Sequence, residues 1–115
     1  VRVLNASRKT VLAESVEECR SFWEQTRGMM FRREVVPLMF TFQKPQTVHL
    51  HSWFCPGVMD LVFLDDSWEV VELHSEWAPR RSYRSRQDAL ILLELPAGTI
   101  AHSRTAVGDQ VHLVK

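Results

Sequence analysis

The chain has 115 residues, 45% hydrophobic and 24% charged, a balance that lets one domain build a core without disulfide or metal staples. Its 14 Lys and Arg side chains offset 14 Asp and Glu, so no net charge directs it to nucleic acid or an anionic membrane. No apolar run reaches the ~18 residues of a membrane span, and two cysteines make no disulfide framework.

The opening "VRVLNASRKTVLAES" reads as two short strands around the turn-prone Asn5-Ala6-Ser7. It lacks the apolar core of a secretory signal. Ser15 followed by Glu18 has the spacing of a capping box, in which hydroxyl and carboxylate satisfy two free amides. Val16, Cys19, Phe22, Trp23 and Thr26 then recur at helical spacing, and Gly28 can end the segment. The expectation is a single amphipathic helix over residues 15–27 lying on a larger β structure.

That β structure follows. "VVPLMFTF" alternates Val36, Leu38, Phe40 and Phe42, with Pro37 marking an edge or the first residues of a strand. "TVHLHSW" sets Val48 and Leu50 opposite His49 and His51, and Pro56-Gly57 is expected to turn the chain back. "MDLVFLD" and "EVVELHSEW" are strands joined at Asp66-Ser67. "APRRSYRSRQD" reads as a polar loop, and "ALILLEL" as a strand buried on both faces. "PAGT" and "AVGD" are turns before a last strand, "QVHLVK". Many short strands with turns at even spacing predict a mainly β single domain over residues 1–115, a sandwich or flattened barrel.

Three blocks are shared with a known family: "TRGMMFRREVVPLMFTF" (26–42), "MDLVFLDDSWEVVEL" (59–73), and "LLELPAGTI" (92–100) followed by "VGDQV". In that order, over nearly the whole chain, they resemble the small bacterial and archaeal proteins of domain-of-unknown-function family 192. The resemblance implies a β-rich domain with one packed helix. The family has no established activity, so none is implied. The family pattern falls on Gly28, Met29, Met30 and Arg32, on Phe40, on Asp60 and Phe63, and on Glu94 through Thr99. The chain departs from it at "SWFCPGVMD" (52–60), where bacterial members tend to show Trp-Met-Lys-Asn-Thr and then Pro-Leu-Asp, so a ligand contact from that run does not carry over. The export signals of many bacterial members are not expected here.

Several residues are candidates for chemistry. His49 and His51 share a strand face, the geometry by which two imidazoles hold a metal, with Cys55 and Asp60 as further ligands. The spacing to Cys55 fits no standard zinc pattern, so the favoured reading is two histidines on an outer face, with no metal or other cofactor. Asp60, amid "VMDLVFLD", calls for partners: backbone amides at a turn, or Arg32. Arg80, Arg81, Arg84 and Arg86 surround Tyr83, a patch able to hold phosphate or stack on a base, although a neutral chain favours a solvated loop. Trp53, Phe54, Trp68 and Trp77 either line one apolar pocket or cap the ends of the sandwich. Glu94 is expected to cap or pair near the Gly98 turn.

The sequence thus points to a cytoplasmic binding or accessory module, monomeric or weakly dimeric, for a small ligand or a protein. Its candidate site spans residues 53–60, with Arg32, His49, His51, Tyr83 and Glu94 around it. The alternatives are a small metal-assisted enzyme using His49, His51 and Asp60, and an anion or nucleic-acid binder using the four arginines.

Overall fold

The computed structural model describes residues 1–19 and 28–115. Strands dominate: β1 Arg2–Asn5, β2 Thr10–Ala13, β3 Glu17–Cys19, β4 Leu38–Gln46, β5 His49–His51, β6 Met59–Leu64, β7 Val70–Trp77, β8 Ser82–Arg84, β9 Ala89–Pro96 and β10 Val111–Val114, with a short helix α1 at Thr99–Ser103. They form a five-stranded sheet ordered β3-β4-β9-β6-β7, a three-stranded sheet β10-β1-β2 and the pair β5-β8. Among the described residues no helix is long and apolar enough to cross a membrane.

The mainly β fold is the one expected, and the near-continuous apolar run of β9 explains its layering. Ile91, Leu93 and Leu95 point to one core, shared with Val3, Leu12, Ala13 and Val111 of the three-stranded sheet. Ala89 and Leu92 point to a second core, shared with Phe40, Leu61, Phe63, Met29 and Val48. Successive side chains of a strand alternate between faces, so a strand covered on both has no position for solvent-facing polar residues. The β1–β2 hairpin and the β6–β7 hairpin also form as expected. At the second, Asp65 accepts the N–H groups of Ser67 and Glu69, each at 2.9 Å.

Four local expectations are corrected. Ser15 and Glu18 do not open a helix: Glu17–Cys19 is β3, an edge strand parallel to β4, with the Glu17 N–H donating to the Pro37 carbonyl at 3.0 Å. The unpaired backbone of β4 wins over a local cap, because pairing there also buries Val16 in one core and Cys19 in the other. Residues 20–27, the remainder of the expected helix, lie outside the described residues.

The second correction is a further helix: "PAGT" does turn the chain at Ala97-Gly98, and the five-residue α1 then follows, which the expectation of a single helix did not include. Third, the polar loop around Tyr83 contains β8, paired antiparallel with β5. Fourth, the chain turns after β5 at Trp53 and Phe54, with the Cys55 N–H donating to Ser52 and Phe54 at φ 63°, and not at Pro56-Gly57. β6 is therefore not the return strand of β5. It pairs with β7 and β9 in the main sheet.

Asp60 explains the helix that the sequence hid. It is fully buried on β6, between Met59 and Leu61, and it faces away from the core those two enter. One carboxylate oxygen accepts the Glu76 N–H at 2.9 Å, where β7 bulges and Glu76 takes φ 55°. The other accepts the Ile100 N–H at 2.8 Å, in the first turn of α1, where Gly98 at the N-cap supplies no side chain. The carboxylate caps a helix forty positions away. Asp60 does anchor backbone amides, but its partners are neither the turn before it nor Arg32. Replacing Asp60 with alanine strands both amides in a dry site, and urea denaturation should show a loss of roughly 2–4 kcal/mol. His49→Ala, on an exposed face, should cost under about 0.5 kcal/mol. Equal losses for the two variants would remove the anchoring role.

Candidate functional site

Glu94 occupies the centre of β9, with Leu38 of β4 and Leu61 of β6 as its cross-strand neighbours. Alternation along β9 places it on the same face as Leu92, in the direction of the second core. It does not reach the Gly98 turn; there Thr99 donates its hydroxyl to the Pro96 carbonyl at 2.7 Å instead. The Glu94 side chain ends in a cavity of about 270 Å³. Phe40, Phe42 and Leu92 of the main sheet form its floor, Met29 and Met30 one wall, and Val48 through His51 with Cys55 the other.

Glu94 is 6% exposed, and its Oε1 has no hydrogen-bond partner among the described residues. Burial pushes its pKa up to about 7, while the Arg32 guanidinium pulls the other way. Removal from water disfavours the ionised form, and a buried acceptor without a donor adds to that cost. Arg32 does not relieve it by contact. Its Nε donates to the Gly28 carbonyl at 3.0 Å and its terminal nitrogens engage Glu17 at 3.0 Å, so it fastens the Gly28 turn to β3. Gly28 itself sits at φ 46°, a left-handed turn that brings Met29 and Met30 back over the sheet.

The histidines border this cavity. His49 and His51 are both on the exposed side of β5, opposite Arg84 and Ser82 of β8, while Leu50 packs toward the core. His51 Nδ1 accepts the Trp53 N–H at 3.3 Å. Cys55 lies in the same cavity as a free thiol, pushed up to about 11 by burial and then by the Glu94 charge. A thiol so raised stays protonated and is a poor nucleophile at neutral pH. Among the described residues no three His, Cys, Asp or Glu side chains come together closely enough to share a metal ion.

The other candidates lie elsewhere. Asp60 is on the opposite face of the sheet. Tyr83 gives its hydroxyl to the buried Glu72 carboxylate, which also accepts the Arg86 and Gln87 N–H groups at 2.8 and 2.9 Å. Its ring lies 4.3 Å from that of His74, and burial, then Glu72, pushes its pKa up to about 12. Tyr83 is a clamp that holds β8 to the main sheet. Trp53 is 49% exposed at the turn and does not line the cavity. Trp77 is core and Trp68 packs on the other core, so the tryptophans surround no common pocket. Arg80, Arg81, Arg84 and Arg86 are all exposed. The cavity therefore gathers His49, His51, Cys55 and Glu94 of the expected residues, and adds Met29, Met30, Phe42 and Leu92.

The family model of DUF192, described as "Uncharacterized ACR", matches residues 3–113. A UPF0127 protein of Thermococcus sibiricus is 28% identical over 112 residues, spanning 95% of this chain and 72% of that protein. A UPF0127 protein of Pyrococcus furiosus is 27% identical over 111 residues, with 95% of each chain covered. A crystal structure from Sinorhizobium meliloti, described as a "putative transcription regulator", superposes with a TM-score of 0.85 at 22% identity over 96% of this chain and 89% of that one. A protein of unknown function from Novosphingobium aromaticivorans gives a TM-score of 0.84 at 21% identity over 97% of this chain and 82% of that one. Both structures share the fold.

The Glu94 carboxyl gives the site a pH signature. Its folded value of about 7 lies above the ordinary 4.5, so between these two pH values the folded protein keeps a proton that the unfolded chain has released. Its contribution is therefore most favourable below pH 4.5 and is lost as pH rises to about 7, a change on the order of 3 kcal/mol. Denaturation of the protein and of Glu94→Gln across that window should give a difference that slopes with pH. A flat difference would show that Glu94 titrates normally.

Proposed function

The chain belongs to the DUF192 family, and we propose that it serves as a binding module that takes a small ligand into the cavity between β4, β9 and β5. The observation that carries this reading is the Glu94 carboxyl, buried in an apolar sheet face with an oxygen that nothing among the described residues satisfies. A protein selected for stability alone would place leucine there, since a desolvated acid costs free energy that an apolar side chain does not. A ligand with a hydrogen-bond donor removes that cost on entry. The volume suits a compact molecule, at the lower edge of the roughly 300–1,000 Å³ of small-molecule sites.

Binding is favoured over catalysis because Glu94 has no partner in a reacting pair: the Cys55 thiol is held protonated and the histidines point to solvent. The four arginines are exposed, and the aromatic they surround, Tyr83, is committed to Glu72 and His74, which supports a solvated face over a nucleic-acid site. That neither Cys19 nor Cys55 is in a disulfide supports a reducing, cytoplasmic setting, and the module is taken to act as a monomer or weak dimer.

Methyl-labelled methionine reports on the cavity directly. In a screen of small amines, alcohols and acids by NMR, at least one class should shift the Met29 and Met30 methyl signals, and Met30→Trp, which narrows the cavity, should abolish the shifts. Shifts confined to the amides of residues 80–86, with the methionine signals unmoved, would favour the anion-binding alternative instead.

A further inference from the structure

We infer that the cavity selects a small primary alkylammonium ion, its head on the Glu94 carboxylate and its chain among Met29, Met30, Phe40 and Phe42; this rests on the binding-module reading above. Charge comes first. Among the described residues, Glu94 is the one acidic side chain lining the cavity, and no lysine or arginine lines it. Arg32, a cation close enough to act on Glu94, is already engaged by Glu17 and the Gly28 carbonyl. Among the described residues, then, an anionic ligand would meet a carboxylate with no lining cation to receive it. A cation would complete an ion pair for which one half is already in place.

Hydrogen bonding narrows the class. Oε1 is an acceptor lacking a donor, so the ligand must bring an N–H or O–H. A quaternary ammonium has the charge and no donor; an alcohol has the donor and no charge. A primary ammonium has both, and charge-assisted bonds of this kind are roughly twice as strong as neutral ones. The surroundings then fit the rest of the molecule: two thioethers and two aromatic rings around the acid make an apolar seat for a short alkyl chain, and aromatic rings also attract a cation. His49 and His51 at the mouth and the protonated Cys55 thiol are the other titratable groups there. None of them is placed to replace the ligand's donor, since Oε1 remains unpartnered with all three present.

Four probes with a four-carbon chain and different head groups decide the matter by calorimetry at about pH 8, where a carboxyl held near 7 is mostly ionised and an alkylamine is still protonated. They are n-butylammonium, butan-1-ol, butyrate and butyltrimethylammonium. Butylammonium should bind at least about tenfold more tightly than each of the other three, and Glu94→Gln should weaken it by a similar factor while circular dichroism stays unchanged. If that variant does not fold, the order of the four probes on the unaltered protein decides alone. Equal or tighter binding of any other probe, with shifts at the Met29 and Met30 methyls, would overturn the ammonium inference and leave the cavity as a ligand site. If none of the four moves those signals, the inference and the binding-module reading both fall.

Discussion

The two-sided burial of β9 is the constraint on which the rest of the structure depends. A strand at the centre of a five-stranded sheet needs a cover on each face, and this chain supplies two different ones. The β10-β1-β2 sheet closes one face with aliphatic side chains. Among the described residues, the other is covered by the pair β5-β8 and the segment carrying Met29. A three-residue strand on each side of that pair cannot cover a face that eight-residue β9 and nine-residue β4 present. The gap left beyond its edge is the cavity. Position follows from strand length before any site chemistry enters.

That thin cover is held by polar contacts more than by area. Ser52 accepts the Arg81 N–H at 2.9 Å and gives its hydroxyl to the Ala78 carbonyl at 2.7 Å, and Ser85 bonds the Val48 N–H at 2.8 Å. The buried Glu72 carboxylate then fixes Tyr83 and the chain after β8. Such contacts tie β5 and β8 to each other and to the sheet edge without filling the space above Phe42 and Glu94. The opposite face has no such looseness, because Asn5 donates there to both Thr105 and Asp109 at 2.9 Å and locks the loop before β10 onto β1. One face is a packed core, and the other is a frame around an opening.

Much of the fold was legible because period-two alternation is a local signal. It marks β4 and β5 directly, and the unbroken apolar run marks β9 as doubly covered. The failures share one physical origin. Residues 17–19 carry a helical signature but pair with the edge of β4, from Glu17 to Leu38 and so beyond any local window, and α1 exists through a carboxylate on β6 that no reading of "PAGT" reveals. β8 has only three residues, two of them exposed, and no alternation to read. The site divides in the same way. His49 and His51 were legible as a shared outer face, since Val48 and Leu50 claim the core. Glu94 was visible as a charged residue in an apolar run, but its role was assigned to the nearest turn because the walls that isolate it come from residues 29–30 and 48–55. Met29, Met30 and Phe42 read as ordinary core until the fold brings them around an acid.

Asp60 and Glu94 together show why burial alone does not mark a functional acid. Both sit inside the same sheet on adjacent strands, and among the described residues neither has a basic side chain bonded to it. Asp60 faces a helix terminus and a bulge, two places where a fold leaves amides without partners, and it takes one N–H on each oxygen. Its charge is satisfied by backbone geometry, which makes it a fixture of the fold. Glu94 lacks such amides: among the described residues its Oε1 has no hydrogen-bond partner, and the Arg32 guanidinium is directed to Glu17 and the Gly28 carbonyl, so its ionisation is left unfavourable by the same fold that satisfies Asp60. Filling the position with an apolar residue would cost the sheet nothing in hydrogen bonds. What the carboxyl adds is an attraction that acts only when something with a donor enters from outside, and that asymmetry between the two acids is the physical basis for assigning one to structure and the other to binding.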